Sequence, residues 1–314
     1  MTIVFWLLVA LGAAVLALYL WSQKLARQAR AAAPPTGDTM PVRGGTIHYV
    51  ETGPSRAPVI LLVHGIAAQL QHFTYGVSDR LKDDYRVIAI DRPGSGHSRR
   101  DDEEAAALPE QARMIAEFLE RKGIPEAVVA GHSLGGAVAL ALALDHPEKV
   151  RALALIAPLT HVQPEVPAIF KGLELRTRFM RHLVANTVAL PVGKLTTGKV
   201  LTFAFAPEAP VPDFMTRAAA ILGLRPEAFI NASTDLVTLE AALPAQSVRY
   251  GRLKAHGGVL YGEGDVLLDP EAQGRSMTAF GMTYETLPGR GHMLPITAPA
   301  DCARFIRDIA ARAR

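Results

Sequence analysis

Cysteine is nearly missing from this sequence: Cys302 stands alone among 314 residues. No intramolecular disulfide can form, and a disulfide-stapled framework is excluded. Its surroundings, PADCARFIRDIA, read as a final helix in which the thiol packs rather than reacts. Aromatic residues make up only 6% and charged residues 20% of the chain. A basic surface for nucleic acid is lacking as well. The formal charge of +3 comes from residues 1–44, where Lys24, Arg27, Arg30 and Arg43 face a single acidic residue, Asp38. Beyond them acidic and basic residues balance, which argues against nucleic acid as a partner. There is no internal repeat.

What the chain does have is one long hydrophobic run. IVFWLLVALGAAVLALYLW, Ile3 to Trp21, holds no charge and as a helix would be about 28 Å long, enough to span a bilayer. Trp6 lies near one end and Tyr19 and Trp21 at the other, where an aromatic belt sits. A secretory signal would need a positive segment before the run, which is missing. The expectation is therefore an uncleaved single-pass anchor. Because the cations follow the span, the positive-inside rule puts the C-terminal domain on the cytoplasmic side.

Next, AAAPPTGDTMPVRGG reads as a loose tether. TIHYVE alternates as a half-buried strand, and APVILLVHG, RVIAID, EAVVAGHS and VRALALIAP are runs of the kind buried on both faces. PEQARMIAEFLERKG, with Met114, Ile115, Phe118 and Leu119 on one face, is a helix between two of them. Strands alternating with helices predict an α/β fold with a mostly parallel sheet covered on both sides. The alternation stops after Pro158 for about ninety residues of helical, proline-punctuated chain, too long for a structureless loop, and resumes at GGVLYGEGD. The expected organisation is a transmembrane helix over 1–22, a linker over 23–44, a core over 45–158 and 251–314, and an inserted helical cap over 159–250.

The chemistry-bearing stretch is VVAGHSLGGAVAL. Gly131 and Gly135 flank Ser133 where a strand bends sharply into a helix, a turn with no room for side chains on either side and one that lifts the serine hydroxyl above the sheet. The Leu134 N–H is then free to donate to an oxyanion. A serine hydroxyl needs a base, and the base an orienting carboxylate. LPGRGHMLP supplies His292 after the last strand, and LYGEGDVLLDP supplies Asp265 after the preceding one, with Glu263 and Asp269 as rivals in the same loop. A second oxyanion donor is expected from LLVHGIAAQ, where Gly65 lets the backbone come close and the Ile66 N–H points at the substrate; His64 reads as structural.

These residues resemble the α/β-hydrolase superfamily in its serine-nucleophile branch with a helical cap. The resemblance runs from about Gly45 to the C-terminus through HGIAA, DRPGSGHS, GHSLGG, GEGDVLLDP and GRGHMLP. It implies the α/β-hydrolase fold and acyl transfer to water through an acyl-enzyme at Ser133, with no metal and no organic cofactor. DRPGSGHS, Asp91 to Ser98, is implied to shape the site without supplying the nucleophile. Relatives that open epoxides or displace halides carry aspartate at the elbow, so Ser133 disfavours those reactions. Carbon–carbon hydrolases and perhydrolases share the triad and stay open, as does a catalytically silent partner-binding protein of the membrane.

In the insertion, AIFKGLELRTRFMRHLVANTVAL places Phe170, Leu173, Met180, Leu183 and Val184 near one helical face and Arg176, Arg178 and Arg181 mostly elsewhere. A cap helix packing its apolar face on the core is favoured over membrane contact. Phe203, Phe205 and Phe214 add aromatic surface, so an apolar acyl pocket is expected. An anchored enzyme with such a pocket suits a small-molecule or lipid ester. Neither the natural acyl group nor the oligomeric state follows from the sequence.

Overall fold

Adjacent residues in a strand point to opposite faces, and the buried runs become strands that feed two cores at once. The computed structural model describes residues 2–313. Met1 and Arg314, the outermost residues of the expected anchor and of the last core segment, lie outside the described residues. The strands are β1 (Asp38–Val42), β2 (Gly45–Thr52), β3 (Val59–Val63), β4 (Arg86–Ile90), β5 (Arg99–Arg100), β6 (Ala127–His132), β7 (Val150–Ile156), β8 (Gly257–Gly262) and β9 (Thr283–Leu287). They form one sheet in the order β1-β2-β4-β3-β6-β7-β8-β9, with β5 paired to β2. β1, β2 and β5 pair antiparallel, and the pairs from β4 to β9 are parallel. This is the mostly parallel α/β sheet expected from the strand–helix alternation.

The principal helices are α1 (Thr2–Ala32), α2 (Leu108–Arg121), α3 (Leu134–Asp145), α4 (Arg178–Asn186), α5 (Ala189–Phe205), α6 (Pro226–Ser247) and α7 (Pro299–Arg312). Leu61 and Val63 of β3 pack with Met114, Ile115, Phe118 and Leu119 of α2 and with α3. Their neighbours Ile60 and Leu62 pack on the other side with Cys302, Phe305, Ile306 and Ile309 of α7. Cys302 is fully buried, and burial pushes its thiol pKa well up. Helices α4, α5 and α6 lie in the stretch between β7 and β8, a helical cap.

Three expectations are corrected. The tether over 23–44 is largely ordered: α1 continues to Ala32 and β1 already pairs with β2 from Asp38. The reason is tertiary contact. Leu25 and Ala26 pack against Leu190 of α5, Ala33 packs with Ala219 and Leu222, and Arg30 pairs with Glu227. Pro41 is tolerated because β1 is an edge strand.

The orientation of α4 also departs from the expectation at Arg181, Met180 and Leu183. Arg181 is the buried residue, 3% exposed, held by Glu103 and by Ser233 Oγ of α6, whereas Met180 and Leu183 are 42% and 41% exposed. Glu103 and Ser233 captured the arginine, so Met180 and Leu183 were left facing out, while Phe170 of the same stripe packs against the core and Leu173 and Val184 are half-buried. Finally, Phe205 and Phe214 pack on each other, centroids 5.0 Å apart, in a small core with Met293 and Ile296, and Phe203 is 38% exposed. Other side chains of the cap line the pocket described next.

Candidate active site

The loops that follow β3, β6, β8 and β9 meet at the C-terminal edge of the sheet, where open α/β sheets place their ligand crevices. Ser133 follows β6 and has φ 55° and ψ −124°. For a residue with a side chain this backbone conformation costs on the order of 1–3 kcal/mol, so its surroundings must hold it. They do. Ser133 N donates to Ile156 O at 3.1 Å, and its carbonyl accepts from Gly136 N at 2.8 Å and Leu159 N at 3.0 Å. A Cβ at Gly131 would stand 2.5 Å from Gly135 O, and one at Gly135 would stand 2.1 Å from Val63 O. The two glycines let the turn close against β3.

Leu134 opens α3, so its N–H belongs to the first turn and has no intrahelical acceptor. Ser133, Leu134, Ile66 and His292 all line one cavity of ≈ 150 Å³. Its remaining wall is mainly apolar: Leu159, Val162, Phe170 and, from one face of α6, Leu236, Leu239 and Leu243. Among the described residues nothing hydrogen-bonds the Ser133 hydroxyl.

His292 is buried, and its Nδ1 lies 2.7 Å from Asp265 Oδ2. The other oxygen, Asp265 Oδ1, accepts from Leu267 N at 2.8 Å and Leu268 N at 3.0 Å. Both rivals are engaged elsewhere. Glu263 Oε1 accepts from Thr286 Oγ1 on the exposed surface, and Asp269 accepts from Glu271 N at the start of the next helical turn. With Nδ1 donating to the carboxylate, Nε2 is the ring nitrogen left to face the cavity that Ser133 also lines.

Two further residues support this arrangement: His132, which the sequence left without a role, and Arg92, which lies in the DRPGSGHS turn implied to shape the site. His132 Nε2 donates to the main-chain carbonyl of His292 at 3.0 Å. Burial and then the neighbouring His292 hold its pKa well below the ordinary value, so it is a neutral support. Arg92, fully buried, donates through Nε to His64 O and through Nη2 to Gly65 O, both at 2.9 Å. Arg92 N donates to His64 Nε2 at 2.9 Å, which makes Nδ1 the protonated nitrogen of His64, donating to Gly65 O at 2.8 Å. Burial, reinforced by Arg92, lowers the His64 pKa to about 3.

Arg92 is itself paired with Asp235 of α6 at 3.0 Å, and Asp235 also pairs with Arg100. The preceding Asp91 accepts from His48 Nδ1, Leu70 N and His97 N. Burial opposes a charge there, but the His48 hydrogen bond and its neighbours outweigh it and keep the carboxyl below its usual range. DRPGSGHS therefore ties the loop after β3 to the cap. Among the described residues no group of three or more His, Cys, Asp or Glu side chains gathers as a metal site requires.

Residues 58–299 match the family described as alpha/beta hydrolase fold. The chain is 36% identical over 118 residues to the dihydrolipoyllysine-residue acetyltransferase component of an acetoin cleaving system from Cupriavidus necator, covering 38% of this chain and 31% of that protein. It is 38% identical over 125 residues to bifunctional epoxide hydrolase 2 of Rattus norvegicus, covering 39% and 22%. The chain thus matches less than half the length of these curated relatives. A crystal structure of a membrane phospholipase A superposes with a TM-score of 0.70 at 24% identity, covering 100% of this chain and 97% of that one, a likeness of fold. With the family match extending over most of its length, the chain belongs to the α/β hydrolase fold family.

Proposed function

We propose that the protein is a membrane-anchored serine hydrolase that cleaves a lipophilic carboxylic ester, or a related thioester or amide, through an acyl-enzyme at Ser133. The observation that carries this reading is Ser133, held at φ 55° on the wall of an apolar cavity shared with His292, whose Nδ1 is fixed by Asp265 at 2.7 Å. A turn with that backbone cost is retained where a nucleophile has to be presented.

In the first half-reaction His292 Nε2 takes the proton from Ser133 Oγ as Oγ bonds to the ester carbonyl carbon. Asp265 keeps the imidazole in the required tautomer and stabilises the imidazolium. The tetrahedral oxyanion sits between the N–H groups of Ile66 and Leu134, each removal of which typically costs about 10²–10³ in rate. His292 returns the proton to the leaving alcohol, and water repeats the sequence to release the acid. No metal or organic cofactor takes part.

The helix α1 supports the anchor: it is long and apolar enough to cross a membrane, and its apolar window is unburied. The cations that follow the run, Lys24, Arg27 and Arg30, favour a cytoplasmic catalytic domain. A fluorophosphonate probe tests the chemistry. Wild-type protein should be labelled and Ser133→Ala should not. Folded wild-type protein that fails to label would favour the catalytically silent alternative.

A further inference from the structure

The cap turns an apolar face outward where the uncharged run of α1 ends. Ser22 directly follows the uncharged run, and its Oγ donates to Thr187 O at 2.8 Å. Gln23 Nε2 reaches Asn186 Oδ1 at 3.4 Å, and Leu25 and Ala26 pack on Leu190. Residues 186–190, the junction of α4 and α5, are therefore fixed at the level where α1 leaves its apolar stretch.

From that junction two exposed stripes run outward. On α4, Phe179 is 74% and Leu183 41% exposed, four residues apart; Val188, just before α5, and Val192 and Leu195 on it are 44%, 47% and 74% exposed at helical spacing. Leu195 lies five residues beyond Leu190, about 8 Å along the axis. Contiguous exposed apolar area of this kind marks a contact surface. Its charge has one sign: neither α4 nor α5 contains an aspartate or glutamate, Lys194 and Lys199 are exposed, and so are Lys24 and Arg27 on the adjoining turns of α1. Arg181 is taken up by Glu103, a half-buried carboxylate from the core that also lies near Arg178 and His182 of α4.

We infer that this α4–α5 face lies in the boundary layer of the same membrane that α1 enters, with Phe179, Leu183, Val192 and Leu195 among the upper acyl chains and Lys194 and Lys199 against anionic phospholipid headgroups. The inference rests on the reading of α1 as an anchor. Apolar contact sets the depth, and the one-signed rim selects an anionic leaflet. Such seating would bring the cap, and the apolar cavity that its helix α6 lines, to the source of a lipid ester.

The test uses the full chain reconstituted in vesicles of phosphatidylcholine with phosphatidylglycerol. Variants with one added cysteine, Leu195→Cys, Leu8→Cys and Val248→Cys, carry an environment-sensitive fluorophore; the native Cys302 is buried and stays unlabelled. Val248, 84% exposed, follows α6 beside the Arg249–Asp145 pair of the core and is the water-facing control. The expected result is strong quenching at position 195 by a spin label near the headgroups, strong quenching at position 8 by a label deep in the chains, and none at position 248. Quenching at 8 but not at 195 overturns the inference and leaves the anchor standing. No quenching at either position removes the anchor reading and this inference with it. A fluorophore at 195 shielded from water yet unquenched by lipid means that protein, such as a second copy, covers the face, which also overturns it. Equal quenching at 195 in vesicles of phosphatidylcholine alone overturns the anionic preference.

Discussion

Arg92 Nη2 donates to the carbonyl oxygen of Gly65 at 2.9 Å, and that contact helps to orient a donor on the opposite side of the peptide. The Gly65 carbonyl and the Ile66 N–H share one planar trans unit and point in opposite directions. A carbonyl held by both Arg92 and His64 therefore sets the direction of the Ile66 N–H, the proposed oxyanion donor. Arg92 is in turn held by Asp235 from the cap, so cap docking and donor geometry are joined through one buried guanidinium.

Asp235→Ala should show this coupling. It leaves the Arg92 and Arg100 guanidinium groups buried without their shared carboxylate, and breaking a buried pair in this way costs about 3–5 kcal/mol. Denaturant unfolding reads that loss. In the folded fraction kcat should fall by up to about 10², the lower end of the effect of losing an oxyanion donor outright. A destabilised variant with unchanged kcat would reduce the network to a structural role.

Asp265→Asn should lower kcat by roughly 10⁴, the size seen when an orienting carboxylate becomes an amide and the base histidine adopts the wrong tautomer. Asp265 Oδ1 accepts two main-chain N–H groups, which an amide oxygen can still accept, so the fold should hold. Near-normal melting with lost turnover is the expected pairing of results. Glu263→Gln and Asp269→Asn, whose carboxylates bond elsewhere, should retain most activity.

How much of this could be read from the sequence depends on the range over which each feature is specified. Ser133 is marked by its immediate glycines and by the strand before it, and His292 and Asp265 by their places after the last two strands. The chain order therefore brought them to one edge of the sheet. The Arg92–Asp235 pair joins residues 143 positions apart, and no local spacing announces it. Periodicity put Met180 and Leu183 of α4 on a stripe but could not say which stripe is covered, because that was decided by Glu103 and Ser233 receiving Arg181. The strand β1 was hidden by Pro41 and the surrounding glycines, and it forms because β2 offers an edge to pair with.

Stability should decline as the pH falls below about 6.5, because several buried histidines are neutral in the fold. Burial lowers the pKa of His64 to about 3, with Arg92 adding to the effect, and that of His72 to about 4; His132 is shifted the same way. Over the window from 6.5 down to those values the unfolded chain binds protons that the fold refuses, so each group removes about 1.4 kcal/mol per pH unit. His48 behaves oppositely. Burial works against its charge, but the Asp91 hydrogen bond raises its pKa overall, so its contribution is complete below 6.5 and is lost as the pH rises through the raised value. Melting temperatures from pH 7 to 4.5 should fall steeply, and a flat profile would contradict the neutral state of these three side chains.

The acyl preference should be set on α6, where Leu236, Leu239 and Leu243, at helical spacing, line the cavity that Ser133 also lines. Each buried methylene of a substrate chain contributes about 0.8 kcal/mol, so two more carbons accommodated in the cavity raise kcat/KM by roughly tenfold. Leu239→Trp fills part of that volume and should lower the ratio of kcat/KM for p-nitrophenyl decanoate over butyrate by a similar factor. Wild-type enzyme should favour the longer ester in the first place. If it shows no gain beyond butyrate, the apolar wall is not an acyl site, and if the ratio survives Leu239→Trp, the chain is bound along another wall, such as that of Val162 and Phe170.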